Sequence, residues 1–335
     1  MKPPELGPGP EFDLIRRIIA NSSVSGDPRI LLGPGDDAAI LRPGTLAIST
    51  DCSVEDVHFR RDWLSPREIG YRACAAALSD LAAMAARPIG LLASIAAPAE
   101  HGPAFVAELM AGVTEAATAH GAALLGGDLS ESPGPAMVGM VVLGDGTRAV
   151  TRSGAKPGDT LWVTGDLGAS AAAVRAWQTG ERPEPDAFRA FARPSPRIEE
   201  ALWLAERGPL HALIDLSDGL SGDAGHIAAA SGVEIHVELA RVPVSAAARV
   251  VSNGEQDALA LAIGGGEDYE LLFAGEEDGI AAVQSDFERR FGLRLTRVGT
   301  VHEGTGVVFT SSDGTATPAR PGYSHFAAHA VKSRS

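Results

Sequence analysis

Apolar residues along this chain recur at two spacings, and the alternation between them predicts a mixed α/β protein. From Glu11 to Asn21, the residues Phe12, Leu14, Ile15, Ile18 and Ile19 share one face at helical spacing, which reads as a short amphipathic helix. Strand-like runs follow at Ala39 to Leu41 and at Leu46 to Thr50, the second running directly into Asp51. Ser65, Pro66 and Glu68 supply an N-cap, a proline at the first helical position and an early acid, so a long helix is expected from there to about Ala86, before Arg87 and Pro88. A strand (Ile89 to Ala97), a helix from about Pro103 to His120 closed by Gly121, a short strand into Gly126 and a strand from Ala136 to Leu143 complete the first half.

The stretch Gly144 to Gly158 is polar and glycine-rich, and the apolar pattern resumes at Asp159 to Thr164. A domain boundary is therefore expected near residue 148, dividing the chain into 1–147 and 148–335. Helices are expected at Ala169 to Gln178, Pro196 to Arg207, Leu220 to Ala230 and Gly279 to Phe291. Strands are expected at Ala212 to Leu216, Val233 to Leu239, Tyr269 to Ala274, Arg294 to Val301 and Val307 to Thr310, with the proline-rich Glu181 to Asp186 as a loop. No repeat of fixed period runs through the chain.

Composition narrows the partners. A chain of 335 residues suits two cores, and 45% hydrophobic with 21% charged residues is a globular balance; with aromatics at 5%, those cores must be aliphatic. No apolar run reaches the roughly 18 residues of a membrane helix, and MKPPELGPGPEF lacks the apolar segment of a secretory signal. Cys52 and Cys74 are the only cysteines and form no CxxC, which argues against a disulfide scaffold or zinc site and for a reducing cytoplasm. The net charge of -15, from 43 acidic and 28 basic residues with no basic cluster, argues against nucleic acid and anionic membrane as partners. If such a protein handles nucleotides, metal cations must screen its carboxylates from the phosphates.

Aspartates stand where elements end: Asp36 and Asp37 in GPGDDAAIL, Asp51 in AISTDCSVEDVHF, Asp80 in ALSDLAAM, Asp128 in LLGGDLSES, Asp215 and Asp218 in IDLSDGLSGD. Magnesium takes hard oxygen ligands, usually one or two carboxylates with water and phosphate completing the octahedron. Taken singly, each loop is also what an ordinary turn or N-cap uses. Asp80 is the most telling, because it interrupts an Ala/Leu-rich helical run where a carboxylate is costly unless paired, metal-bound or solvated. Glycines at Gly33, Gly35, Gly126, Gly127 and Gly264 to Gly266 allow backbone N–H groups to approach phosphate, or simply permit tight turns. GxxxxGK[ST], the protein-kinase motifs, HExxH and GxSxG are all absent. His58, close after the Asp51 loop, reads equally as a structural histidine or a substrate contact.

The ordered motifs EFDLI, GPGDDAAIL, AISTDCSVEDVHF, ALSDLAAMAARP, LLGGD, TRSGAKPGD, RPSPRI, IDLSDGLSGDAGHI, GGGEDYELLF and GYSHF span nearly the whole chain. Together they resemble the thiamine-monophosphate kinase family of the aminoimidazole ribonucleotide synthetase-like superfamily. The resemblance implies a two-domain α/β fold of the α+β type: an N-terminal mixed-sheet domain for ATP, metals and dimerisation, whose sheet pairs with that of a second subunit, and a C-terminal α/β domain. It implies several Mg2+ ions on Asp37, Ser49, Thr50, Asp51, Asp80, Asp128, Asp215 and Asp218. ATP would contact Gly127, Asp128, Arg152 and Ser217, and thiamine monophosphate would meet His58, Glu267 and Tyr323. The implied reaction is direct in-line transfer from ATP to thiamine monophosphate, giving ADP and thiamine diphosphate in a cytoplasmic homodimer. The acceptor oxygen is already ionised near neutral pH, so no residue serves as general base. Another ATP-using synthetase of the superfamily, or a non-catalytic nucleotide- or metal-binding homologue, is the alternative. The family usually has Gly where Asp56 and Ala85 stand here, and often Arg where Glu131 stands; Asp56 and Glu131 add negative charge near the expected phosphate channel.

Overall fold

The computed structural model describes residues 10–21, 27–34, 38–42 and 44–318. In chain order the elements are α1 (Pro10–Asn21), β1 (Ile30–Leu32), β2 (Ile40–Leu41), β3 (Leu46–Val54), α2 (Pro66–Ala82), β4 (Arg87–Ala97), α3 (Gly102–Ala119), β5 (Ala123–Glu131) and β6 (Met137–Asp145). They continue with β7 (Thr160–Thr164), α4 (Ala169–Gln178), α5 (Pro185–Ala192), α6 (Ile198–Arg207), β8 (Leu210–Asp215), α7 (Leu220–Ser231), β9 (Glu234–Glu238), α8 (Ala246–Val250) and α9 (Glu255–Gly264). Last come β10 (Leu271–Gly275), α10 (Glu277–Phe291), β11 (Leu295–His302), β12 (Gly306–Thr310) and β13 (Ala316–Pro318).

Strands before and after the Gly144 to Gly158 stretch belong to different sheets, each mixed in direction. The first is four-stranded in the order β3-β6-β4-β5, with β4 and β5 parallel and the other pairs antiparallel. The second is seven-stranded in the order β13-β12-β9-β11-β7-β10-β8. Central strands such as β7 and β10 are buried on both faces and read as unbroken apolar runs, LWV and LLFA. The expected α/β architecture with mixed sheets is therefore what the chain adopts.

Helix α2 lies between the two sheets and touches β3, β6 and β8 as well as α3, α5 and α6. Its start follows the local signals: Ser65 Oγ accepts from Glu68 N, the Glu68 carboxylate accepts from Ser65 N at 2.8 Å, and Pro66 opens the first turn. Against α3 the backbones approach so closely that a Cβ on Gly70 would stand 1.9 Å from the Leu109 carbonyl oxygen, and one on Gly112 equally close to that of Arg67. Larger residues would push the helices apart.

Three expectations need correction. Helix α2 ends at Ala82 rather than near Ala86, because Ala85 turns left-handed at φ 47° and Ala86 N reaches back to Leu81 O. The GGD stretch is not a loop: β5 runs through it to Glu131, held by parallel pairing with β4. Helices α5, α8 and α9 were not anticipated; α5 begins inside the expected proline-rich loop, with Pro185 at its first position and Phe191 buried.

Candidate functional site

A cleft of about 990 Å3 opens beside α2, with walls from β3, the 56–63 turn, α4, the residues after β8 and the Gly264 to Tyr269 segment. Arg72, Ala76 and Asp80 line it at steps of four along α2, a single helical stripe. The stripe spans roughly 12 Å at 1.5 Å per residue. Asp80 stands at one end and Arg72 at the other, with a small alanine between.

Asp80 and its neighbour Ser79 tie the two sheets together. Adjacent helix positions diverge by roughly 100°, so each faces a different sheet. Asp80 Oδ2 accepts from Ser49 Oγ of β3 at 2.6 Å, and Ser79 Oγ donates to Asp215 Oδ2 at the end of β8, also at 2.6 Å. Asp51 lies two residues beyond Ser49 on the same face of β3 and lines the cleft, as do Ser217 and Asp218 just past β8. Thr50 also lines the cleft while donating its hydroxyl to Met140 O at 3.0 Å.

Carboxylates crowded into this end resist ionisation. Burial raises the pKa of Asp80, and Asp51 adds to the shift against Ser49 and Arg152. Burial, with Asp80 adding, pushes Asp215 up to about 6 against the Ser79 hydroxyl and Arg152. Asp223, in the first turn of α7, is pushed up to about 8 by burial and then by Asp215 and Asp218, while its carboxylate accepts from Asp218 N. Clustered hard oxygen donors of this kind are chemically suited to a divalent cation with oxygen preference. Asp218, Asp223 and His226 also bring ligand atoms within 4.8 Å of one another.

The other end is charge-balanced and aromatic. Arg72 is buried; its Nη1 donates to Phe191 O at 2.6 Å, its guanidinium lies 3.8 Å from the Phe191 ring centroid, and its Nη2 pairs with Glu267. Trp63 and Trp177 stack with centroids 4.8 Å apart and planes 6° from parallel, and Phe191 meets both edge-on. His58 lines the cleft between these ends, accepting from Val54 N at Nδ1 (3.0 Å), so its neutral ring carries the proton on Nε2.

Thr50, Asp51, Asp80, Asp215, Asp218, Ser217, His58 and Glu267 thus meet in one cleft, with Ser49 bonded to Asp80 behind it. Arg152 is exposed but close enough to act electrostatically on Asp80 and Asp215. Gly127 and Asp128 are not in the cleft of the single chain. Gly127 shares a row with Ala93, Met140 and Asp51, three strand spacings or roughly 14 Å away. Its missing side chain has a packing cause, since a Cβ there would stand 1.9 Å from Ala93 O. Asp128, one residue on and paired with exposed Ser94, faces away from α2. Asp37 and Tyr323 lie outside the described residues. Sequence reasoning missed Arg72, Ser79, Asp223, Tyr269 and the Trp63, Trp177 and Phe191 wall. Only Arg72 carried a local signal, its eight-residue offset from Asp80.

Two family descriptions match the chain: AIR synthase related protein, N-terminal domain, over residues 35–145, and AIR synthase related protein, C-terminal domain, over residues 156–311. Thiamine-monophosphate kinase of Escherichia coli K12 is 36% identical over 326 residues, covering 95% of this chain and 98% of that protein. The crystal structure of thiamine-monophosphate kinase from Stenotrophomonas maltophilia K279a superposes with a TM-score of 0.81 at 36% identity, covering 92% of this chain and 98% of the other. The structure of AaThiL complexed with AMPPCP and TMP superposes with a TM-score of 0.74 at 29% identity, covering 94% and 96%.

Proposed function

From the premise that the chain belongs to the thiamine-monophosphate kinase family of AIR synthase related proteins, we propose that it transfers the γ-phosphate of ATP to thiamine monophosphate, giving thiamine diphosphate and ADP. The observation that carries the reading is the polarity of the cleft: crowded carboxylates from β3, α2 and the end of β8 at one end, and paired charges with an aromatic wall at the other. An acceptor with an anionic phosphate and a cationic, aromatic remainder matches that gradient. The AaThiL complex with AMPPCP and TMP supports the same pair of ligands.

The donor chemistry fits Mg2+: hard carboxylate oxygens of Asp51, Asp80, Asp215 and Asp218, with the hydroxyls of Ser49 and Thr50 beside them, and Asp37 and Asp128 as further ligands by motif. When bound, magnesium would cancel phosphate charge and polarise the transferred group. The protein's own task is alignment. Arg152 and Ser217, with Gly127 by motif, orient nucleotide phosphate; Glu267, fixed by Arg72, faces the cationic ring system; Trp63, Trp177 and Phe191 give the rings an apolar wall. His58 and, by motif, Tyr323 complete the acceptor pocket. The acceptor oxygen is ionised, so in-line attack needs no general base.

The domain division falls between β6 and β7, with 1–147 as the nucleotide, metal and dimerisation unit and 148–335 as the second. The sheet face away from α2 exposes Ile48 (62%), Met137 (39%) and Leu92 (36%), an apolar surface suited to pairing with a second copy. Asp128 and Gly127 sit on or beside that face, where a homodimer would bring them to a shared site. Both cysteines are free, which suits a reducing cytoplasm, and no described helix is long and apolar enough to cross a membrane. Incubation with ATP, Mg2+ and thiamine monophosphate, followed by chromatography, should yield equimolar ADP and thiamine diphosphate; ADP without the diphosphate would overturn the proposal.

A further inference from the structure

The segment from Glu267 to Tyr269 is bent against its own side chains. Glu267 and Tyr269 both take left-handed backbone angles, φ 58° and 52°, each costing roughly 1–2 kcal/mol for a residue with a Cβ. The bend is held from outside: Glu267 N donates to Ser217 O at 2.8 Å, Tyr269 N donates to Leu216 O at 2.9 Å, and Leu216 N donates back to Glu270 O. Glu270 is itself fixed by Arg197 and by Thr164 Oγ1 at 2.6 Å. Such strain persists only where neighbouring contacts over-determine it, and it concentrates at functional sites.

Its effect is to set Tyr269 into the cleft floor while leaving the residue only 7% exposed. The ring stands within electrostatic reach of Asp51 and Asp215 on one side and of Arg72 and Glu267 on the other, the boundary between the two ends of the cleft. Burial keeps the phenol protonated, with the nearby carboxylates reinforcing the effect against Arg72. Among the described residues its hydroxyl makes no hydrogen bond, and the oxygen is not among the unpartnered atoms sealed from solvent, so it opens to the cleft that the residue lines. A ligand bound in the cleft would meet this hydroxyl with an acceptor oxygen in place of water.

Resting on the kinase reading above, we infer that the Tyr269 hydroxyl donates a hydrogen bond to a phosphate oxygen of the acceptor substrate, so that the enzyme distinguishes a phosphorylated acceptor from its dephospho form. The position agrees with this role, because the boundary between the carboxylate and aromatic ends is where the acceptor's phosphate joins its organic part. A neutral phenol has a further advantage here: it grips an anion without adding a charge that would compete for the surrounding carboxylates.

Tyr269→Phe keeps the ring and removes only the oxygen. Calorimetric titration in Mg2+ without ATP compares thiamine monophosphate with thiamine on the parent chain and the variant, alongside steady-state kinetics and thermal melting. The expected result is a loss of roughly 10- to 100-fold in affinity and in kcat/KM for thiamine monophosphate. Affinity for thiamine, KM for ATP and the melting temperature should stay unchanged. Equal weakening of thiamine and thiamine monophosphate, a change confined to ATP, or unaltered behaviour of the variant would each overturn the inference. A parent chain that neither binds nor phosphorylates thiamine monophosphate would instead sink the functional reading on which it rests.

Discussion

The two ends of the cleft are built on opposite electrostatic principles. At the Asp80 end, carboxylates from β3, α2 and β8 are packed together, and burial, reinforced by their mutual repulsion, raises the pKa values of Asp80 and Asp215. At the Arg72 end each charge is answered: Arg72 pairs with Glu267 and Arg175 with Asp257, and the remaining wall is aromatic. One end concentrates negative charge and the other pairs it. Mutations should therefore separate them, the first end losing turnover without losing stability and the second losing stability together with acceptor binding.

The sharpest separation comes from Asp51→Asn and Asp218→Asn. Each should lower kcat by about a thousand-fold or more, because a ligand to the charge-cancelling ion is lost. In chelator the same variants should melt at or above the parent temperature, since a repelling carboxylate has gone. Unchanged turnover would remove both residues from the ligand set. Arg72→Met should act the other way round, costing about 2 kcal/mol in urea unfolding. The full loss for a dry ion pair is larger, but Glu267 keeps 31% side-chain exposure and water screens part of it.

Asp268, between Glu267 and Tyr269 but behind the cleft wall, contributes a pH response to the fold. It accepts from Gly168 N at 2.8 Å at the start of α4, yet burial, with Glu270 and Glu267 adding, pushes it up to about 8. A folded value above the unfolded one means that the native chain holds an extra proton between about pH 4 and pH 8. Stability must then fall as pH rises through that window, by up to about 1.4 kcal/mol per unit for one group. Asp268→Asn should flatten the urea midpoint against pH; an undiminished slope would show that other groups carry it.

The smallest effects concern Asp56 and Ala85, where this chain departs from the glycines usual in its family and where the backbone is left-handed, φ 65° and 47°. Asp56→Gly should stabilise by about 1 kcal/mol, because Asp56 is exposed and loses no packing. Ala85→Gly should gain less, since Ala85 is 4% exposed and its buried methyl contributes about 0.8 kcal/mol. Equilibrium urea melts distinguish the two values.

The carboxylate end was largely legible in the sequence, because each carboxylate sits in a short motif beside a strand or helix end and Asp80 is out of character in its helix. The balanced end was not. Arg72 and Glu267 are far apart in the chain, and Trp63, Trp177 and Phe191 come from a turn and two helices, one of them hidden behind Pro183 and Pro185. Tertiary packing alone brings them together. Gly127 shows a different limit: its glycine has a packing cause in a close strand contact, which local pattern cannot distinguish from a phosphate-binding turn. Likewise the left-handed angles at Asp56 and Ala85 leave no mark in residues that are not glycine.

The most direct test is a crystal structure grown with Mn2+, a non-hydrolysable ATP analogue and thiamine monophosphate, with the ions located by anomalous scattering. The account predicts manganese among Asp51, Asp80, Asp215 and Asp218, bridging nucleotide and acceptor phosphates, with the thiamine rings toward Trp63 and Phe191. Manganese absent from that cluster while both ligands are bound, or an acceptor lying with its rings at the carboxylate end, would contradict it.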